Sequence, residues 1–271
     1  MRYQSSSAIS YFFRNFWHYI LLVLPVVLFM AFFANFGNQT AFLKDWLGGN
    51  LSAETYITQM MNKMSIVNQA NNWLFEIGAF LLLVTTFSLI TVKMSRHMRV
   101  GDFVPFPVKS AIKIIPSMAI FCGCFAVVCQ LLQFVVFGIL FLLNMFFAMD
   151  AVIVVGLVLL WLAVVGIAYL WMLMLLAFPL FYSENYPFNV ALSYSIREMS
   201  KHSLLCIGYA VGYAIAQVAV LALDYILPVS KYFVHTIFFT FVIYYIPCLA
   251  LTIHHKTLGS ERKDISRVLI G

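Results

Sequence analysis

The sequence predicts an all-α integral membrane protein with six transmembrane helices and cytoplasmic N- and C-termini. Hydrophobic residues make up 63% of the 271 residues and charged residues only 10%, whereas soluble domains are about half apolar and a quarter charged. The apolar residues fall in long runs bounded by charge, which is the pattern of membrane-spanning helices. We therefore expect residues 1–271 to form a single six-helix transmembrane domain.

Six apolar segments are long enough for the roughly 20 residues that a transmembrane helix needs. They cover residues 17–34, 73–92, 114–147, 151–182, 203–226 and 232–253. Between Ile114 and Ser183 the only charged residue is Asp150, so this stretch is predicted to be a tight helical hairpin that turns near residues 144–150. Both of its helices are longer than one span requires, and we expect them to tilt or to project beyond the hydrocarbon.

The distribution of Lys and Arg predicts the orientation. With the N-terminus inside, the outer segments hold only 3 of the 16 Lys and Arg residues, Lys44, Lys63 and Lys231, which leaves 13 inside. Because Lys and Arg concentrate on the cytoplasmic side, the net charge of +6 indicates membrane topology rather than nucleic-acid binding. The residues expected to form a basic face on the anionic inner leaflet are Arg14, Lys93, Arg96, Arg99, Lys109, Lys113, Arg197 and Lys201.

Three basic amphipathic segments precede the first, third and fifth spans and predict helices at the membrane interface. They cover residues 4–16, 102–113 and 187–201, and the prolines of the second place any regular helix after Pro107. One interpretation is a threefold pseudo-repeat of one interfacial helix and one hairpin. The alternative is that any helix entering a membrane tends to be amphipathic and basic. The repeats would be residues 1–93, 94–183 and 184–271.

An outer loop over residues 35–72 is the largest segment expected on the far side. Within it, residues 51–70 predict a surface helix, because apolar residues recur there at helical spacing. This helix is expected to lie on the outer membrane surface or to cover the bundle. Met60, Met61 and Met64 leave two interpretations open, which are a soft-metal site and adaptable packing.

Polar residues in membrane spans are the default candidates for function. Those in this chain are concentrated in the middle and outer half of the predicted bundle, where they would form a polar cavity open to the outside. Such a cavity suits the head group of an amphiphile or a cation. The alternative is solvation at helix ends together with interhelical hydrogen bonds. The candidates are Glu76, Gln130, Gln133, Asp150, Gln217, Asp224 and His235.

Residues 178–201 carry a family resemblance. The run from Phe178-Pro-Leu-Phe-Tyr182 through Asn185 to Ala191-Leu-Ser-Tyr-Ser-Ile-Arg197 resembles a bacterial group of six-span proteins. These are the YciC-like proteins and the membrane domain attached to some glycerophosphoryl diester phosphodiesterases. The Gly-Asp-Phe sequence at residues 101–103 is similar to the second cytoplasmic segment of that group. The resemblance implies an all-helical protein of the bacterial cytoplasmic membrane and implies no particular activity.

The sequence contains none of the usual hydrolase, metalloprotease or nucleotide-binding motifs. We therefore expect a non-enzymatic protein without cofactor or metal, working as a partner or scaffold subunit in lipid or envelope physiology. Its expected ligands are membrane lipids, above all those of the anionic inner leaflet. The alternative is a transporter, such as the permease subunit of an ABC exporter, whose partner would be a cytoplasmic ATPase or another membrane subunit. An enzyme acting on lipid head groups is the third interpretation.

Overall fold

The computed structural model describes residues 2–33, 38–64, 73–102, 108–183, 186–227 and 231–257, together with residues 262 and 264. These residues form eleven α-helices and no β-strand, which confirms the all-α fold. In chain order the helices are α1 (Arg2–Arg14), α2 (Phe16–Phe33), α3 (Asn38–Leu47), α4 (Tyr56–Met64), α5 (Trp73–Val100), α6 (Val108–Leu143), α7 (Met149–Leu173), α8 (Ala177–Ser183), α9 (Phe188–Ser200), α10 (Ser203–Ile226) and α11 (Lys231–Thr257).

The structure has the long apolar helices of a membrane protein. Five stretches of the described residues are long and apolar enough to cross a membrane, and α1 with α2 makes a sixth if that bent pair counts as one span. The five correspond to the second to sixth spans expected from the sequence. They are Ile77–Val100, Val108–Leu143, Met149–Tyr182, Ser203–Ile226 and Phe233–Thr257.

Contacts between distant residues define two ends of the bundle. At one end, which we call the terminal end, the side chain of Tyr11 bonds to His97 and residue 264 bonds to α1. At the other, the distal end, Tyr56 of α4 donates to Asn144 in the turn between α6 and α7. The helices α2, α5, α6, α7, α10 and α11 run between the two ends.

The chain bends by 83° between α1 and α2. Asn15 stands at the bend, and its side-chain amide donates to the carbonyl of Tyr11, 3.1 Å away. A short amide side chain competes in this way with the regular helical ladder. Ala8 and Phe12 are buried against the bundle whereas Phe13 is exposed, so α1 has the amphipathic character that the sequence predicts for residues 4–16.

The second basic segment does not form a separate interfacial helix, contrary to the expectation for residues 102–113. A helix does begin just after Pro107, as predicted, but it continues without interruption from Val108 to Leu143 as α6. Ile114 and Met118 are buried on either side of Pro116, and their packing keeps the helix continuous past that proline. The third segment does form its own helix, α9, with Pro187 at the N-cap.

The fourth span is broken near the terminal end, although the sequence predicts one continuous helix over residues 151–182. Helix α7 ends at Leu173, residues 174–176 form a turn, and α8 continues from Ala177. Pro179 is compatible with the break, because proline fits in the first turn of a helix. Since α8 starts two residues before Pro179, the proline falls in that first turn.

Within the outer loop, the described residues 38–64 hold two helices rather than one. Helix α3 was not predicted, and α4 begins at Tyr56 instead of near residue 51; residues 65–72 lie outside the described part of the chain. A ten-residue helix is marginal on its own, and α3 depends on packing, because Phe42 is completely buried. Helices α3 and α4 form a cap on the distal end of α6 and α7.

Gly156 of α7 permits close approach of the cap. A Cβ atom built on this glycine would lie 2.8 Å from Cε of Met60 and 2.9 Å from Cδ1 of Leu140. Met60 is completely buried in this apolar contact, which favours the packing interpretation for that residue.

Candidate functional site

A cluster of charged side chains around the buried Asp264 lies at the terminal end, where α1, the end of α11 and residues 262 and 264 meet. The side chain of Asp264 is only 1% exposed and lies 2.9 Å from Nη2 of Arg14 and 2.8 Å from Nη2 of Arg262. Arg262 also donates to the hydroxyls of Ser7 at 3.0 Å and Thr252 at 3.3 Å. These bonds join residues 262 and 264 to both α1 and α11.

Aromatic and imidazole groups extend the cluster into α2 and α5. The hydroxyl of Tyr11 lies 2.9 Å from that of Tyr19 and 2.8 Å from Nδ1 of His97. The guanidinium of Arg262 lies 5.4 Å from the ring centre of Tyr11. Lys93 donates to the carbonyl of His18, and its ammonium lies 5.3 Å from the ring centre of Tyr19. The cluster therefore fixes four helices relative to one another.

Sequence reasoning missed most of this cluster. Arg14 and Lys93 were assigned to a basic face, but their partners are remote in the chain or lie on another helix. The one available signal was Asp264, a single acid between Arg262 and Arg267 in a basic C-terminal segment.

The residues predicted to form the basic face divide into two groups. Arg14, Lys93 and Arg96 are engaged within the protein; Arg96 donates to Tyr182 at 3.0 Å and to Ser110 at 2.6 Å. The others are exposed at the terminal end, as is Lys256 from the end of α11, and among them Lys201 is paired with Glu198 at 2.7 Å. These exposed residues are Arg99, Lys109, Lys113, Arg197 and Lys201.

Two of the residues predicted to line an outer polar cavity meet at the distal end. The carboxylate of Asp224, near the end of α10, bonds to Nε2 of His235, near the start of α11. Their side chains are 0% and 7% exposed. The other oxygen of Asp224, Oδ1, has no hydrogen-bond partner among the residues that the structure describes. The two groups join α10 to α11.

The other predicted cavity residues have different surroundings. Asp150 is exposed and accepts a hydrogen bond from Trp46 of the cap at 3.0 Å, and Gln217 donates to Tyr213 within α10 at 3.2 Å. Gln133 is buried and Gln130 is half-buried in α6. Glu76 belongs to α5, but its side chain lies outside the described part of the structure. The cavity itself stays a prediction.

A third polar site lies at the break between α7 and α8. The buried hydroxyl of Ser195, on α9, accepts from the amide of Leu176 at 3.0 Å and donates to the carbonyl of Leu173 at 2.9 Å. A break in a helix leaves backbone groups without their usual partners. Ser195 satisfies two of them and attaches α9 to the broken span.

The described residues offer little for metal chemistry, because no three His, Cys, Asp or Glu side chains among them are placed to hold an ion. No protein-family model, curated protein or solved structure matches the chain. The three sites are therefore interpreted from their own geometry.

Proposed function

We propose that the protein is a non-enzymatic, multi-pass protein of the bacterial cytoplasmic membrane that acts as a partner or scaffold subunit in lipid or envelope physiology. Both termini are cytoplasmic in this proposal. The observation that supports it most directly is the concentration of exposed basic side chains at the terminal end.

The charges of the two ends differ. At the terminal end, Arg99, Lys109 and Lys113 are exposed where α5 ends and α6 begins. At the distal end, Lys63 is paired with Asp45 of the cap, 2.7 Å away. Basic side chains near an anionic leaflet each contribute about 1 kcal/mol of attraction, so the terminal end suits the cytoplasmic surface.

Helix α9 has the surface of an interfacial helix. Ala191, Ser195 and Met199 are buried on one side, while Ile196 and Arg197 are exposed on the other. Apolar and basic side chains on one exposed surface are typical of helices bound at the head-group level.

The scaffold assignment is supported by the way the buried charges are used. Asp264 binds Arg14 of α1, and Arg262 bonds to Thr252 of α11, so this charged cluster holds α1 and residues 262 and 264 on the bundle. An arrangement that fixes helices in place suits a subunit whose role is to present a stable surface.

Lipid retention tests the basic end. The purified chain is delipidated, incubated with phosphatidylglycerol or phosphatidylcholine, and analysed by native mass spectrometry. We expect preferential retention of phosphatidylglycerol, reduced about tenfold or more when four exposed basic residues are replaced by Gln. Equal retention by the wild type and this variant would contradict the proposal. The four residues replaced in this variant are Lys109, Lys113, Arg197 and Lys201. The matched control replaces Lys44 and Lys63, at the distal end, by Gln.

The broken fourth span favours a second candidate, a transporter, because discontinuous helices often form the sites of transporters. Purification from native membranes in mild detergent distinguishes the transporter from the scaffold subunit. A stoichiometric ATPase bound to the chain would support the permease of an exporter, whereas isolation without an ATPase would support the scaffold.

A further inference from the structure

We propose that the corner between α1 and α2 is a specific binding site for the phosphate of an anionic lipid, with Arg14 and Lys93 as its cationic groups. This inference rests on the proposed function, since it places the corner at an anionic leaflet, and it names one ligand site within the broad basic end.

The first argument is the charge balance at the corner. Arg14, Lys93 and Arg262 bring three cationic side chains into one cluster, and Asp264 is the carboxylate that the described residues place among them. Because net charge is costly in a partly dehydrated site, an additional anion would stabilise the cluster.

The second argument is access. The side chain of Arg14 is 35% exposed even while its Nη2 binds Asp264, and Lys93 is half-buried beside the first turn of α2. Both groups can therefore reach a ligand at the surface. Arginine and lysine are the usual phosphate-binding side chains, arginine through its planar fork and lysine as a point charge.

The third argument is the apolar surface beside the two cations. Phe13 lies in the last turn of α1, Trp17 in the first turn of α2, and Leu21 one turn further along α2. All three are exposed, Trp17 by 79% and Leu21 by 74%. A lipid whose phosphate binds at the corner would lay its acyl chains along this surface, whereas free phosphate would gain nothing from it.

The test compares lipid with free phosphate on the full-length protein. Native mass spectrometry follows retention of phosphatidylglycerol, and inorganic phosphate competes in a parallel titration. Besides the general retention at the basic end, we expect one tightly held phosphatidylglycerol per chain, which the variant with four Gln substitutions keeps and which excess phosphate does not displace. Displacement by excess phosphate would overturn the lipid as the ligand.

Variants identify the residues. Lys93→Gln, which leaves the Asp264 pairs intact, is expected to weaken retention of this lipid about fivefold, the effect of one basic residue. A second variant, Arg14→Gln, removes the other cation and leaves Asp264 paired with Arg262; we expect a similar loss. Lys44→Gln, an exposed residue at the distal end, is the control and should keep the lipid.

The two proposals can fail separately. One outcome is that the variant with Gln at Lys109, Lys113, Arg197 and Lys201 keeps the general preference for phosphatidylglycerol. In that case the argument from the basic end fails while the corner site stands. If Lys93→Gln retains the lipid as the wild type does, the corner site is wrong and the basic end is unaffected.

Discussion

The carboxylate of Asp264 lies 2.9 Å from the guanidinium of Arg14, which is 250 residues earlier in the chain. The same carboxylate binds Arg262, so one buried acid holds two cations. This contact connects the two ends of the chain at the terminal end of the bundle. It makes the stability of α1 depend on a residue beyond the last transmembrane helix.

Asp264→Asn should therefore destabilise the protein. Removing one partner of a buried ion pair leaves the other charge uncompensated and costs about 3 kcal/mol, which lowers the melting temperature of a chain this long by roughly 5–10 °C. Thermal unfolding in detergent, followed by tryptophan fluorescence, measures the change. Glu54→Gln, in an exposed turn of the outer loop, is the control, and an equal melting temperature for both variants would contradict the structural role of Asp264.

Ser195→Ala should weaken the broken fourth span. The substitution leaves the amide of Leu176 and the carbonyl of Leu173 without their side-chain partner, and an unsatisfied buried group costs about 1–3 kcal/mol. Ser193→Ala removes an exposed hydroxyl from the same helix and should have almost no effect. Thermal unfolding compares the two, and a harmless Ser195→Ala would show that the break is held in another way.

Gly156→Ala should loosen the cap, because the new Cβ would lie under 3 Å from Met60 and Leu140. Both neighbours offer the ends of flexible side chains, so we expect a loss of about 1 kcal/mol, at the low end for overpacking. Gly138→Ala meets no atom within 4 Å and should gain up to about 1 kcal/mol from helix propensity. The account of the cap would be wrong if both substitutions stabilised the protein equally in thermal unfolding.

Tyr56→Phe removes the hydrogen bond between the cap and Asn144, at a cost of about 1 kcal/mol near neutral pH. Burial raises the pKa of the Tyr56 phenol above its ordinary value of 10.0. Above that pH the unfolded chain releases the phenolic proton first, so the stability that Tyr56 provides should decline as the pH rises. Denaturant unfolding of both proteins between pH 7 and 11 measures the difference, with the exposed Tyr186→Phe as control. If the gap in unfolding free energy between the wild type and Tyr56→Phe grew with pH, the role given to the Tyr56 hydroxyl would be contradicted.

The spans and the central hairpin could be predicted because their signals are local. An uninterrupted apolar run needs no partner to identify it, and Pro107 marks the start of α6 by its own chemistry. The break after Leu173 was harder to predict, since Pro25, Pro116 and Pro247 lie inside continuous helices whereas Pro179 follows a break. Only the surrounding packing separates these outcomes.

The charged cluster at the terminal end could not be predicted, because its partners are distant in sequence. Nothing near Arg14 indicates Asp264, and basic residues before a span have an adequate explanation in lipid binding alone. The sequence placed Asp224 and His235 near the same end of two consecutive spans, and the structure brings the two side chains together at the distal end. Their direct bond follows from the register of α10 against α11, which the sequence does not specify.

The orientation of the terminal end is the central claim, and cysteine labelling in intact cells tests it most directly. The five native cysteines are first replaced by alanine, and single cysteines are then introduced at Asn50 in the outer loop and at Ser200 at the end of α9, both exposed positions. We predict that a membrane-impermeant maleimide labels Asn50→Cys in intact cells and Ser200→Cys only after permeabilisation. Labelling of Ser200→Cys in intact cells, with Asn50→Cys protected, would place the basic end outside and contradict the account.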